Sequence, residues 1–213
     1  MVKENLTSII ILSYNTLELT KMCLESIRAH TPEHYELILV DNASTDGSLE
    51  YLREQQDVRL IENKENMGFP KGCNQGLAIA EGDSLLLLNS DTVVTENWLA
   101  NLKTALYSSE KVGAVSCLAN YVSNGQQIPV PYGQDMEAMQ EFARGLNHST
   151  PAKWEKRPHL VGFCYLFRRE LYEAIGGLDE RFTPGNFEDN DYSLRIMQQG
   201  YDLLLCKDTF IHH

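Results

Sequence analysis

Three apolar runs that end alike constrain this chain more than any other feature. SIIIL (Ser8–Leu12), ELILV (Glu36–Val40) and LLLLN (Leu85–Asn89) are short and rich in aliphatic side chains. Their interiors show no alternation with polar residues, so each reads as a strand covered on both faces. Each then breaks into a polar cluster: Ser13-Tyr14-Asn15, then Asp41 with DNASTDGS, then Asn89-Ser90-Asp91. Helical patterns lie between them. Leu19, Cys23 and Ile27 recur at four-residue steps, with Thr16 as N-cap and Thr31-Pro32 as stop. A short helix over Leu49–Glu54 precedes a third strand, Val58–Glu62. A glycine-rich loop, Glu65–Gly76, opens a helix running through Ala80. Helix Glu96–Ser108 and strand Val112–Leu118 follow. The alternation predicts an α/β fold: a doubly wound, mostly parallel sheet with helices on both faces. Loops beyond the carboxyl ends of such strands carry ligands. Three polar clusters therefore fall on one rim.

The second half changes character. Residues Ala119–Pro158 are polar, contain Pro129, Pro131 and Gly133, and hold a helix around Met136–Arg144. They read as a long variable insertion. The core returns with a strand over His159–Phe167, a helix over Arg169–Ile175 and the turn GGLDERF. NFEDNDYSLRIMQQG starts a helix with acids crowded into its first turn and ends at Gly200. A strand over Asp202–Cys206 and then FIHH complete the sequence.

Of 213 residues, 43% are hydrophobic, which suits one sizeable core. The net charge of −12 opposes nucleic acid and anionic lipid as main partners. A phosphate-bearing substrate would need a bridging cation. The five cysteines are scattered and form no CxxC, which predicts reduced core residues. No signal-peptide pattern and no apolar run near the roughly 20 residues of a membrane span is found. The expectation is a cytoplasmic protein without a transmembrane segment, peripheral association with the inner face of the membrane being left open.

Each cluster has a local explanation beside a functional one. DNASTDGS contains an Asx-turn and a helix cap. As a calcium loop it fails, because Arg53 stands where a bidentate Glu is required. Asp41 remains as a fixed acceptor at a strand tip. Gly68, Gly72 and Gly76 match neither GxGxxG nor a P-loop. They serve helix entry, or else, with Lys71 and Asn74, close approach to a nucleotide. Asn89 and Asp91 share one strand end. A single carboxylate suffices for Mg²⁺ or Mn²⁺ if a diphosphate completes the shell. Glu188, Asp189 and Asp191 suit a helix dipole, or one of them a general base. His212 and His213 read as a purification tag or as metal ligands.

In order, LSYN (12–15), VDNASTDGS (40–48), NMGFPKGCNQG (66–76), LLLNSD (86–91), GGLDERF (176–182) and FEDNDYSLR (187–195) resemble a family 2 glycosyltransferase of the GT-A fold, similar to bacterial rhamnosyltransferase-like members. The resemblance covers most of the chain outside roughly 119–158. It implies a single domain, with residues 1–118 binding the nucleotide-sugar and 119–213 serving the acceptor and the chemistry. Ser13, Tyr14, Asn15 and Asp41 would meet the base. Asn66, Gly68, Phe69, Lys71 and Asn74 would flank the nucleotide, with Asn89 and Ser90 beside it. Asp91 would be the metal-binding member of a DXD-like motif, aided by His212 or His213. Asp189 is the expected base, with Glu188 and Asp191 as substitutes. Asn89 departs from the motif, being neutral where the family has an acid. Many relatives also continue beyond the histidines, so the chain is expected to be a piece of a longer protein.

The resemblance further implies an inverting transfer from a nucleotide-diphosphate sugar, UDP- or dTDP-linked, to a hydroxyl of a glycan or lipid-linked glycan, with Mg²⁺ or Mn²⁺. The pathway expected is bacterial surface polysaccharide synthesis. Two rivals stand beside it. A nucleotide-sugar nucleotidyltransferase would need a Gly- and Lys-rich loop after the first strand, and SYNT supplies neither. A non-catalytic sugar- or nucleotide-binding relative would accommodate Asn89.

Overall fold

A computed structural model describes residues 2–213. Eight strands form one sheet in the order β3-β2-β1-β4-β7-β5-β8-β6. In chain order the elements are β1 (Lys3–Ser13), α1 (Leu17–His30), β2 (Tyr35–Asp41), α2 (Ser48–Arg53), β3 (Val58–Glu62), α3 (Phe69–Ile79), β4 (Gly82–Asn89), α4 (Trp98–Leu106) and β5 (Val112–Leu118). Then come α5 (Met136–Leu146), β6 (Trp154–Lys156), β7 (Cys164–Arg168), α6 (Arg169–Ile175), α7 (Glu188–Gln198) and β8 (Asp202–Phe210).

The apolar runs behave as their composition requires. Ile9 and Ile11 of β1, Leu37 and Leu39 of β2, and Leu86 and Leu88 of β4 enter one core with α1, α2 and α4. Ile10, Ile38, Leu85 and Leu87 enter a second core with α3, α5, α6 and α7. Successive residues thus face opposite layers, and both layers are dry. Each fully buried aliphatic side chain contributes about 1.5–3 kcal/mol. All five cysteines are free and buried.

The sheet is doubly wound but mixed. β1 runs parallel to β2 and β4, β2 parallel to β3, and β5 parallel to β8. β7 is antiparallel to β4 and β5, and β6 antiparallel to β8. Register aligns the parallel tips: Ser13 lies opposite Asp41, and Leu12 opposite Asn89. Because β7 is reversed, its amino-terminal end reaches the same rim, where Asn89 donates its N–H to the Phe163 carbonyl (2.8 Å).

Two expectations need correction. The strand predicted over His159–Phe167 begins only at Cys164. The reason is local: the Gly162 N–H is held by a carboxylate of α7, outside any strand ladder. Residues 119–158 are also more than an insertion. They supply α5, whose Met139 and Ala143 are fully buried, and β6, which pairs with β8. No helix among the described residues is long and apolar enough to cross a membrane.

Candidate active site

The turn after β4 presents Asn89 and Asp91. Thr92 closes it, its hydroxyl donating to the Asn89 carbonyl (2.9 Å). A two-way backbone bridge between Val93 and His212 then carries the chain past this turn, leaving His213 beside it. The His213 Nδ1 lies 2.8 Å from the Tyr121 carbonyl, which accepts its proton, and the ring stacks on Phe163 at 5.1 Å. Nε2 therefore faces Asn89 Nδ2 (3.3 Å) and Asp91 Oδ1 (3.4 Å). The hydrogen bond from His213 holds the Asp91 carboxyl below its usual range, against burial. Burial opposes charge on His213, but the Asp91 carboxylate outweighs it and the imidazole pKa is raised.

This arrangement fits a hard divalent cation: one carboxylate oxygen, one imidazole nitrogen, and a second-layer carbonyl that fixes the ring. No group of three His, Cys, Asp or Glu that could hold a metal occurs among the described residues. Oxygens from a ligand would have to complete the shell. His212, by contrast, points its Nδ1 at the Tyr132 hydroxyl (2.8 Å) and packs on that ring. Of the two expected histidines, His213 meets Asp91.

Asn89 and His213 line one wall of a cavity of about 620 Å³. Phe69, Glu188 and Asp189 line it as well. Asp189 is gripped at both oxygens: the Gly162 N–H donates to Oδ2 (2.9 Å) and the Asn190 N–H to Oδ1 (2.8 Å). Two N–H donors leave carboxylate lone pairs for a third partner. Glu188 is nearly buried, and its Oε2 accepts the Asn186 N–H (2.6 Å). Burial raises its pKa. Asp191 does not line the cavity. It pairs with Arg195 one turn along α7 (2.8 Å), and the same guanidinium donates to the carbonyls of Ile175 and Gly177. That ion pair engages Asp191 outside the cavity.

On the other half of the rim, several expected residues hold loops rather than face a ligand. The Ser13 hydroxyl is fully buried against Thr16 and Thr20, so it offers a ligand no surface. Asn15 staples two loops: its N–H donates to Ser44 Oγ, and its Oδ1 accepts the Thr45 N–H. Asn66 Oδ1 accepts from Asn42 Nδ2 and from the Gly68 N–H. Asn74 is a clamp, bonded both ways to the Leu178 backbone at 2.8 Å. Lys71 does not line the cavity. Tyr14 is half-exposed, and the Ser90 hydroxyl contacts Thr16 (3.2 Å). Asp41 differs from these. Its Oδ2 accepts the Ser44 N–H (3.0 Å), while Oδ1 is buried without any partner.

The glycines divide as well. Gly68 has φ +79°, and a Cβ there would meet Thr183 Cγ2 at 2.7 Å. Gly72 and Gly76 let α3 lie directly on Leu12 and Ile10 of β1, which makes them packing glycines.

Sequence reasoning missed the hub and the second wall. Asn42 bonds Asn63, Asn66, Met67 and Gly68 at once; as one polar residue in a turn it carried no special signal. Ser123, Asn124, His159 and Phe187 line the cavity from segments distant in sequence. Gln126 joins two of those segments, its Oε1 accepting the Val161 N–H.

The family model described as Glycosyl transferase family 2 matches residues 8–176. The chain is 29% identical over 216 residues to Glycosyltransferase GlyG of Streptococcus pneumoniae serotype 4, covering 98% of this chain and 69% of that protein. It is 32% identical over 219 residues to the O-antigen biosynthesis protein RfbC of Myxococcus xanthus, covering 97% of this chain but only 17% of that one. Its fold is similar to that of the mannosyltransferase PcManGT from Pyrobaculum calidifontis, solved with GDP-Man and Mn²⁺ (TM-score 0.74, 24% identity). It is also similar to GalNAc-T7, solved with UDP, GalNAc and Mn²⁺ (TM-score 0.77, 20% identity). The chain is covered to 97% in both alignments and spans 56% and 42% of those chains. Taken with the rim and cavity geometry, the family match is decisive: this chain belongs to glycosyl transferase family 2.

Proposed function

We propose that the chain transfers a sugar from a UDP- or dTDP-linked donor to a hydroxyl of a glycan or lipid-linked glycan, with inversion, in bacterial surface polysaccharide synthesis. It would act as one domain, residues 1–118 holding the donor and 119–213 the acceptor, within a longer protein. The observation that carries this reading is the shared cavity, with Asp189 on one wall and the His213–Asp91 pair behind another.

Asp189 receives the acceptor proton. The acceptor oxygen forms its bond to the anomeric carbon while the bond to the diphosphate breaks on the opposite face, its electron pair leaving with the diphosphate. One displacement of this kind inverts the centre. Base assistance contributes on the order of 10²–10⁴-fold. The Gly162 and Asn190 N–H groups fix the carboxylate before substrate arrives. Asp91 and His213 would hold Mg²⁺ or Mn²⁺, which when bound stabilises charge on the departing diphosphate.

The test is a thermal-shift panel of UDP-, dTDP- and GDP-sugars with and without Mn²⁺, followed by an assay for slow donor hydrolysis. Ligand at 100 times its Kd should stabilise by about 2.7 kcal/mol. The proposal expects a Mn²⁺-dependent rise with one nucleotide class, plus nucleotide diphosphate release. No shift with any donor would sink it. A shift without hydrolysis or transfer would instead favour a binding-only relative, the reading that the neutral Asn89 keeps in play.

A further inference from the structure

Resting on that transferase reading, we infer that the wall of the cavity beside Asp189 is an acceptor subsite for an uncharged pyranose, with the Phe187 ring as its stacking platform. Three segments build the wall: Ser123 and Asn124, then His159 and Val161, then Phe187 and Asn190. Phe187 is 66% exposed and adjoins the two acids. An exposed aromatic ring on a cavity wall is poor packing but good recognition chemistry.

The backbone that presents the ring is unusual. Phe187 has φ +69° and ψ −2°, a left-handed conformation that bulky residues avoid, and Gly185 and Asn186 before it also have positive φ. The turn is held from both sides. The Asn186 N–H donates to Glu188 Oε2, and the Phe69 N–H donates to the Pro184 carbonyl (2.8 Å). A strained residue kept in place by its surroundings is a pointer to function. Here it places an aromatic side chain on the wall of the cavity that Asp189 also lines.

The rest of the wall defines the ligand's charge. Hydroxyl, amide and imidazole groups from Ser123, Asn124, His159 and Asn190 suit sugar hydroxyls. Among the described residues, no lysine or arginine lines the cavity, whereas two carboxylates do. A phosphate on the acceptor near the reacting hydroxyl would meet those carboxylates with no lysine or arginine on the wall to pair with. The alternating apolar and hydroxylated surfaces of a neutral pyranose match a ring flanked by neutral polar groups.

The experiment is saturation-transfer NMR on the protein loaded with Mn²⁺ and whichever nucleotide diphosphate (UDP, dTDP or GDP) raises its melting temperature, using neutral methyl pyranosides and the corresponding sugar 6-phosphates. Signal from pyranose C–H protons of the neutral glycosides is expected. Phe187→Ala should weaken binding at least tenfold, and Phe187→Trp should retain it. Phe187→Gly satisfies the positive φ without a ring and should behave as Phe187→Ala. Leu194→Ala, exposed on α7 away from the cavity, should match the parent protein. A preference for the phosphorylated sugars, or full binding by Phe187→Gly, would overturn the inference. If none of UDP, dTDP and GDP with Mn²⁺ raises the melting temperature, the transferase reading itself fails. If the shift is present but pyranoside binding ignores the ring, only the subsite falls.

Discussion

Three acids crowd the first turn of α7, and their partners sort them. Asp191 is paired with Arg195; Glu188 and Asp189 both line the cavity, but Glu188 accepts the Asn186 N–H while Asp189 is held by two N–H groups, one on each oxygen. Asp189→Asn should lower transfer by about 10²–10⁴-fold while calorimetry shows unchanged affinity for the nucleotide diphosphate with Mn²⁺. Near-normal turnover would move the base elsewhere. Glu188 makes a prediction about stability. Burial raises its pKa, so the folded state holds the proton more tightly than the unfolded chain. The protein is then most favoured below the ordinary value of 4.5 and loses stability as pH rises through the raised pKa. Glu188→Gln should remove that loss. Its melting temperature, matched with the parent near pH 4, should exceed the parent's by pH 7; equal curves across the range would refute the assignment. The acids and the paired histidines were legible as residue types in the sequence. Which acid, and which histidine, depended on contacts made from other segments.

At the scale of elements, α3 decides how the glycine-rich loop approaches the rim. Gly76 lies so close to β1 that an added Cβ would sit 2.5 Å from Ile10 Cγ2. Gly76→Ala should push α3 outward and cost about 1–3 kcal/mol, as overpacked cores do, read as a lower urea midpoint. No change would mean that α3 floats on the sheet. The sequence showed these glycines at four-residue spacing without saying whether they faced a ligand or a strand. Helical spacing puts them on one face, but only docking reveals what that face meets. The same holds for β7. Its apolar run read as a strand, and only its reversal explains why Gly162 and Phe163 reach the rim that the parallel strands build.

For the whole molecule, residues 119–158 join the sheet edge to the site. Asp208 of β8 is fully buried and accepts the Thr150 N–H (2.5 Å) and the Trp154 indole N–H (2.8 Å). Asp208→Ala leaves both donors without partners and should destabilise by about 1–3 kcal/mol for each. A melting temperature within error of the parent's would show that this segment is not tied to the core. The segment also supplies the Tyr121 carbonyl that orients His213 and the Ser123–Asn124 wall. By itself the sequence determined the layered architecture, because continuous aliphatic runs have no stable place except between two dry layers. It also determined that polar groups gather where those runs end. The tertiary structure alone decided which of them face the cavity. A carboxylate, an amide or an imidazole has the same appearance in the chain whether its partner is a backbone N–H from a distant loop or a ligand. Only the three-dimensional arrangement tells which lone pairs are already taken.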